Sequence, residues 1–301
     1  MIEVKDIAFS EGNIKVENLS FEIRAGEIFG VVGSLLPESQ KAFRILSGVD
    51  WPQSGSISYQ PYGDLKKVRA LGKIGIYSRG SSLIPELTLR RNLTLINEMQ
   101  GLSRISTLVD EIMSIFDLSH FADVKARALP SNVATKAAVA AIFVGSPDFL
   151  FLEDFTLTLD KESSNSVLNF LRSESGLGKC VCMLTDEPEL MCQRVLMLRG
   201  PSGVIVDTPS SILQSTLGFD RVEVKVKGLG PNQAEAILTP IEGSWLYEAE
   251  DLAVIYIDNT EEALNHLFRN LMSVGARILS VTSKKPSFKL LLGPLYKGGE
   301  R

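Results

Sequence analysis

The stretch GEIFGVVGSLLPESQKAFRILSG, from Gly26 to Gly48, sets the architecture of the first part of this chain. IFGVV is a short apolar run that suits a buried strand, and KAFRILSG begins a helix with apolar residues at helical spacing and a closing glycine. A strand, a tight loop and a helix N-terminus together suit a nucleotide phosphate, because backbone N–H groups and the helix dipole point at the anion. The stretch therefore predicts a phosphate-binding frame.

The chemistry of this loop is altered at the positions that contact phosphate and metal. In G-x-x-x-x-G-K-[ST], the second glycine lets the backbone wrap the phosphates, the lysine neutralises them and the hydroxyl holds magnesium. The loop opens with Gly33 and Ser34, and the three later positions hold Glu38, Ser39 and Gln40. The frame is present, and the residues that supply its chemistry are absent.

Two further residues bear on the charge and the N–H donors of the loop. Pro37 removes one N–H group from the cradle. Lys41 lies two positions after the usual lysine. It could swing toward an anion, or it could be a surface lysine on the first turn of the helix.

The order of segments resembles the ATP-binding subunit of ABC transporters, in particular the efflux type with a small C-terminal domain. The matching segments cover the entry strand, loop and helix, then the Q-loop, then the Walker B strand with the D-loop, and finally the switch strand with the helix after it. They read LSFEIRAGEIFGVVG (19–33), RILSGVDWPQSGSI (44–57), KIGIYSRGSSLIPELTLRRNL (73–93), SPDFLFLEDFTLTLD (146–160) and CVCMLTDEPELMCQRVLML (180–198). The resemblance implies a P-loop NTPase-like α/β core over residues 1–215, with a helical subdomain at about 85–145.

Four of the family's catalytic positions are changed in this chain. Arg79 replaces the Q-loop glutamine, and Asp186 replaces the switch histidine. At the end of the Walker B strand, Glu153 stands at the magnesium-binding position and Asp154 at the position of the catalytic glutamate. The resemblance therefore implies loss of the parts on which phosphoryl transfer depends.

The segments that contact adenine and the partner subunit are changed as well. Where the family has LSGGQ, this chain has Leu129, Pro130, Ser131, Asn132 and Val133. The aromatic position that stacks on adenine falls on Ser10, although a slip of one residue would offer Phe9. The D-loop aspartate is kept as Asp160.

The altered pocket leaves alternatives open. Glu153 and Asp154 could be solvated acids or hold a metal, and Arg79 could bind an anion or pair with one of these acids. A pocket that holds four acids against two basic residues should repel ATP, so no nucleotide or metal cofactor is expected and the subunit is predicted to be a pseudo-ATPase. The alternative is an aberrant ATPase that uses ATP and magnesium, with Asp154 as a weak base and Lys41 in place of the usual lysine.

Composition limits the partners. The chain has 301 residues, 45% of them hydrophobic, and a net charge of −5, which argues against nucleic acid as a main partner. No apolar run approaches the roughly 20 residues that span a bilayer, and MIEVKDIAFS does not read as a signal peptide. The three cysteines are expected to be buried hydrophobic side chains. The resemblance implies a cytoplasmic location at the membrane, through a permease subunit and a second ATPase-fold subunit.

Strands and helices alternate from Phe149 to Leu198, with LMCQRVLML as the last helix, which predicts a parallel sheet with crossover helices. Over residues 216–301 the order changes to β-α-β-β-α-β, which is that of a ferredoxin-like unit. Thr260 is predicted to cap a helix in this domain. The domain carries no charge bias, and it is expected to be a dimerisation or regulatory module without a ligand.

Overall fold

The computed structural model of the chain divides into two compact units, Met1–Pro209 and Ser210–Arg301. It describes residues 1–12, 14–79, 83–99, 105–156, 158–199, 203–217, 221–238, 241, 243–249, 251–284 and 287–297.

The first unit is built mainly of strands and helices that alternate along the chain. In chain order they are β1 (Ile2–Glu11), β2 (Ile14–Ile23), β3 (Ile28–Val32), α1 (Pro37–Leu46), β4 (Ser54–Tyr59), α2 (Leu65–Ala70), β5 (Ile74–Tyr77), α3 (Leu89–Met99), α4 (Ile105–Ile115), α5 (Ser131–Ala141), β6 (Phe149–Glu153), α6 (Lys161–Gly176), β7 (Cys180–Thr185), β8 (Arg194–Arg199) and β9 (Gly203–Asp207).

A six-stranded sheet in the order β5-β6-β7-β3-β8-β9 forms the centre of this unit. All its pairs are parallel except β8 with β9. Every residue of β3 and β7 is buried, as expected for parallel strands covered on both faces. Because β3, β6 and β7 are neighbours and run in one direction, the residues after their carboxyl ends meet at one edge of the sheet.

Aromatic packing holds α1 on this sheet. Phe43 of α1 packs edge-on against Phe151 of β6, with ring centroids 6.2 Å apart. Both rings are buried, and full burial of such a side chain stabilises the fold by about 1.5–3 kcal/mol. The helix is thereby fixed with its N-terminus at the carboxyl edge of the strands. A separate antiparallel sheet in the order β2-β1-β4 completes the β structure of this unit.

Helices α3, α4 and α5 lie within the region predicted as a helical subdomain. Asn92 organises the start of α3: its side-chain oxygen accepts from the Ile84 N–H at 2.7 Å, and its amide donates to the carbonyl of Thr88 at 3.0 Å. Phe116 packs against Phe143 with ring centroids 5.7 Å apart. Within the described residues, no helix has both the length and the apolar composition to cross a membrane.

The second unit contains one antiparallel sheet with helices between its strands. Its elements are α7 (Pro209–Leu217), which begins at the division between the units, β10 (Arg221–Lys227), α8 (Pro231–Leu238), β11 (Gly243–Ala249), β12 (Leu252–Asp258), α9 (Glu261–Ser273), β13 (Arg277–Lys284) and α10 (Phe288–Lys297). The strand order is β11-β12-β10-β13, with every pair antiparallel. Together with the β-α-β-β-α-β connection from β10 to β13, this is the predicted ferredoxin-like unit.

Every second residue of β10 is buried, and these residues form part of the core of this unit. Val222, Val224 and Val226 are buried on one face, where they join Leu267 and Leu271 of α9 in one cluster. Thr260 caps α9, since its hydroxyl accepts from the Ala263 N–H at 3.2 Å. The sequence predicted this cap correctly.

Two predictions of secondary structure are wrong. The first helix begins at Pro37 and not at Lys41, because proline is favoured in the first turn of a helix. The segment LMCQRVLML contains strand β8 in place of the predicted helix. A short apolar run cannot be assigned to a buried strand or a helix by its periodicity.

The boundary predicted after residue 215 falls inside α7 (Pro209–Leu217).

The three cysteines are buried and free of disulfide bonds. Burial raises the pKa of the Cys182 thiol well above its usual value.

Candidate functional site

The loop between β3 and α1 has the backbone geometry of a phosphate-binding frame. Gly33 adopts φ +99°, in the left-handed region, and a Cβ there would lie 2.6 Å from Cδ1 of Leu36. The Gly33 N–H donates to the carbonyl of Thr185 at 3.3 Å, which ties the loop to β7. Pro37 is the first residue of α1, where its missing N–H would have no partner within the helix. The turn and the helix N-terminus are therefore both in place.

Ser39 and Gln40 bond to the backbone of this loop. The buried Ser39 hydroxyl donates to the carbonyl of Val32 at 2.6 Å. The Gln40 amide donates to the carbonyl of Ser34 at 2.8 Å. Both side chains stabilise the loop, and neither supplies the charge or the hydroxyl ligand expected at these positions.

Arg79 links the Q-loop position to both the phosphate loop and the Walker B strand. Its backbone N–H and its Nε donate to the Glu153 carboxylate at 2.8 and 3.1 Å. Its Nη2 donates to the carbonyl of Ser34 at 3.1 Å. Of the two roles that the sequence left open for Arg79, the structure contains the ion pair with Glu153.

Asp186 closes the loop from the switch position. Its carboxylate accepts from the Ser34 N–H at 2.6 Å and from the Ser34 hydroxyl at 3.1 Å. The Asp186 carboxylate thus occupies the Ser34 N–H, which lies in the segment where N–H groups would bind a phosphate. Ser34 is thereby held by Asp186 at its N–H and by Arg79 and Gln40 at its carbonyl.

Asp154, at the position of the family's catalytic glutamate, is bonded locally. One carboxylate oxygen accepts from the Thr156 N–H at 2.9 Å and from the Thr156 hydroxyl at 2.6 Å. The residue is buried, and its side chain is shorter than glutamate by one methylene. These bonds orient Asp154 toward the chain that follows it.

Glu38 is also buried, on α1.

Lys41 is engaged with acids on the protein. Its Nζ lies 3.1 Å from Asp50 and 3.9 Å from Glu11. Hydrogen bonds from Arg44, and then from Lys41, lower the pKa of Asp50 to about 2. Of the two readings of Lys41, the structure agrees with a surface lysine, here held in an ion pair.

The altered signature segment leads into a helix that begins with a proline cap. Pro130 is the N-cap of α5 and supplies no side-chain bond, and Ser131 begins the helix. The side-chain oxygen of Asn132 accepts from the Val133 N–H at 2.9 Å. The D-loop Asp160 caps α6 by accepting from the Ser163 N–H at 2.8 Å. Bonds from Ser163, and a weaker one from Asn132, lower the pKa of Asp160.

Neither candidate for the adenine-stacking position presents an aromatic face. Phe9 is buried in the core of the first unit. Ser10 is exposed and donates to the Gln53 side chain at 3.3 Å. The one-residue slip considered for Phe9 does not give a stacking residue.

A cavity of about 490 Å³ lies beside Arg79. Sequence reasoning did not predict it, because its walls come from segments far apart in the chain. Burial raises the pKa of Tyr77, which lines it. The lining residues are Tyr77, Arg79, Leu83, Pro85, Ala126, Arg127, Ser131, Ala134, Thr135 and Thr158.

The residues present fit a phosphate better than they fit a magnesium ion. The positive φ of Gly33, the N-terminus of α1 and the guanidinium of Arg79 suit an anion. At the two metal positions, Gln40 bonds a carbonyl and Glu153 bonds Arg79. No group of three or more acids, histidines or cysteines able to hold a metal exists among the described residues.

The chain is similar to ATP-binding proteins of export systems. No family model matches the chain. It is 27% identical over 257 residues to Nod factor export ATP-binding protein I of Burkholderia thailandensis, which covers 83% of this chain and 84% of that protein. It is 30% identical over 231 residues to the protein of the same name from Neorhizobium galegae, which covers 75% of this chain and 66% of that protein.

Solved structures share the fold. An ATP-binding subunit of an ABC transporter matches with a TM-score of 0.63 at 19% identity, over 72% of this chain and 93% of that chain. The ATP-binding cassette MJ0796, dimeric and bound to ADP and Pi, matches with a TM-score of 0.57 at 21% identity, over 66% of this chain and 94% of that chain.

These comparisons correct the expectation that the chain takes no cofactor. That expectation is wrong because its relatives are ATP-binding proteins, and a structure of the same fold holds ADP and Pi. The charges of single side chains do not outweigh the turn at Gly33 and the N-terminus of α1, which are both in place. The chain belongs to the family of ATP-binding subunits of ABC transporters.

Proposed function

We propose that this chain is an ATP-binding subunit of an ABC export complex that binds ATP and hydrolyses it little or not at all. The observation that carries the proposal is the ion pair between Arg79 and Glu153, which takes up the carboxylate at the metal position. Its role in the complex is then structural or regulatory.

Loss of turnover follows from the way that phosphoryl transfer is catalysed. The reaction depends on positioning and on charge stabilisation by metal, cations and oriented water. Here Glu153 is paired with Arg79, Asp154 is bonded to Thr156, and Asp186 is bonded to the loop. ATP can still use the N-terminus of α1, which does not require these acids, while the Ser34 N–H is already bonded to Asp186.

The assembly is proposed from the relatives. The similar proteins of Burkholderia thailandensis and Neorhizobium galegae carry export in their names, and MJ0796 was solved as a dimer. By analogy, this chain pairs with a second ATPase-fold subunit and binds a permease at the cytoplasmic face of a membrane. A retained Asp160 in the D-loop and the helical subdomain are the features that such contacts would use.

The test measures binding and turnover on the full chain, alone and with its permease. Titration calorimetry with ATP and Mg²⁺ should give saturable binding, and phosphate release should not exceed the protein-free rate.

Asp154→Asn is the matched variant for the turnover assay. Turnover in the wild-type chain that disappears in this variant would contradict the proposal and support the aberrant ATPase, with Asp154 as its base.

A further inference from the structure

We propose that Arg79 is the residue that binds the phosphates of ATP, in place of the lysine that is absent at Ser39. This inference rests on the proposed function, since it needs a chain that binds ATP. It assigns to a Q-loop residue the charge that the phosphate loop lacks.

Arg79 already reaches the phosphate loop. Its Nη2 lies 3.1 Å from the carbonyl oxygen of Ser34, in the loop itself. A guanidinium has five N–H donors in a planar fork, and its bonds to described residues use Nε and Nη2. Further donors therefore remain for an anion beside the loop.

Arg79 also has room to change its rotamer. It lines the cavity of about 490 Å³, and its side chain keeps 29% of its surface exposed. Its pair with Glu153 is therefore partly screened by solvent, which weakens it relative to a fully buried pair. A polyphosphate carries more charge than one carboxylate, so it can compete for the guanidinium.

The basic residues of α1 are engaged elsewhere. Lys41 and Arg44 both bond Asp50, at 3.1 and 2.9 Å. Arg79 is the basic residue among the described ones whose side chain bonds Ser34 of the loop.

Opposite effects of two substitutions test this assignment. Arg79→Gln removes the cation and should weaken ATP affinity about 10- to 100-fold, the range for a hydrogen bond to a charged group. Glu153→Gln removes the competing carboxylate and should strengthen ATP affinity several-fold. Arg79→Lys should recover part of the loss, because it keeps the charge without the fork.

A merely structural ion pair would respond differently. If the pair only stabilised the fold, Arg79→Gln and Glu153→Gln would change ATP affinity in the same direction. If Glu153 held a metal, Glu153→Gln would weaken ATP binding. The chain offers a matched control in Arg194, whose Nε donates to Glu27 at 2.7 Å and whose Nη2 donates to the carbonyl of Glu22 at 2.6 Å. Arg194→Gln should lower thermal stability and leave ATP affinity unchanged.

The measurement is titration of each full-length variant with ATP, ADP and AMP in the presence of Mg²⁺, with a thermal melt to check folding. We expect the loss in Arg79→Gln to be greatest for ATP and least for AMP. Equal ATP affinity in the wild type and Arg79→Gln would overturn the Arg79 assignment alone. Turnover in the wild type would overturn only the pseudo-ATPase proposal, and absence of ATP binding by the wild type would overturn both.

Discussion

Ser39 and Arg79 together define how this loop differs from a catalytic one at the scale of single residues. Ser39 is fully buried and satisfied by the carbonyl of Val32. The only side-chain cation that bonds Ser34, among the described residues, comes from another segment, as Arg79. Charge at the loop is thus placed by the fold and not by the loop sequence.

Restoring the lysine should therefore not restore turnover. In Ser39→Lys, Gln40, Arg79 and Asp186 still occupy the positions that place metal, water and phosphate. Catalytic groups that act as a unit are strongly non-additive, so one reversion recovers little.

We expect phosphate release by Ser39→Lys to equal the protein-free rate, with folding checked by circular dichroism. Measurable turnover in this single variant would mean that the pocket is closer to a working one than its contacts indicate.

The sequence located the site residues better than it located their partners. Asp186 bonds Ser34 of the loop because β7 pairs with β3, and Glu153 at the end of the next strand, β6, is linked to the loop through Arg79. The pairing of Arg79 with Glu153, and of Asp154 with Thr156, depends on the distances between these side chains in the fold. Such distances follow from packing and not from residue type.

At the scale of elements, the sequence predicted a helix or strand correctly where a single residue, such as a helix cap, determines its boundary. Thr260 caps α9 as predicted, and Gly275 after the helix adopts a positive φ. The strand β8 was missed because RVLML is too short for its periodicity to separate strand from helix. Its pairing with β3, which lies far away in the chain, and with β9, which follows it directly, determines its conformation.

The cap of α9 gives a prediction at this scale. Thr260→Ala removes the acceptor of the Ala263 N–H, and loss of such a cap costs about 1 kcal/mol. Chemical denaturation should show a lower free energy of unfolding for the second unit, with an unchanged slope.

Thr260→Ser keeps the hydroxyl and is the matched control, which should stay within a few tenths of a kcal/mol of the wild type. Equal losses in both variants would assign the effect to the threonine methyl group and not to the cap.

At the scale of the whole molecule, the chain joins two units with separate cores. The cluster around Phe29, Phe43 and Phe151 belongs to the first, and the cluster around Val224 and Ile255 to the second. A unit with its own core can in principle fold alone. Residues Ile212 and Leu213 of α7 are buried, so a cut at the predicted boundary would divide a helix that belongs to the second unit.

Truncation after Pro209 should leave the first unit folded and weaken its self-association. The signature segment, which would connect bound ATP to the partner subunit, is altered in this chain. Contacts between protein surfaces must therefore supply the energy of subunit pairing. We propose that the second unit provides that surface. Light scattering should give a lower mass for residues 1–209, relative to chain length, than for the full chain.

Circular dichroism of the truncated chain provides the control for folding. If the truncated and full chains associate equally tightly, the second unit does not hold the assembly together.

The bonds from Asp186 and Arg79 to Ser34 keep the phosphate loop in shape without any nucleotide. A ligand stabilises a fold by RT ln(1 + [L]/Kd), which is about 1 kcal/mol when its concentration is a few times Kd. At ATP concentrations near Kd, we therefore expect the stability of the folded subunit to depend little on ATP.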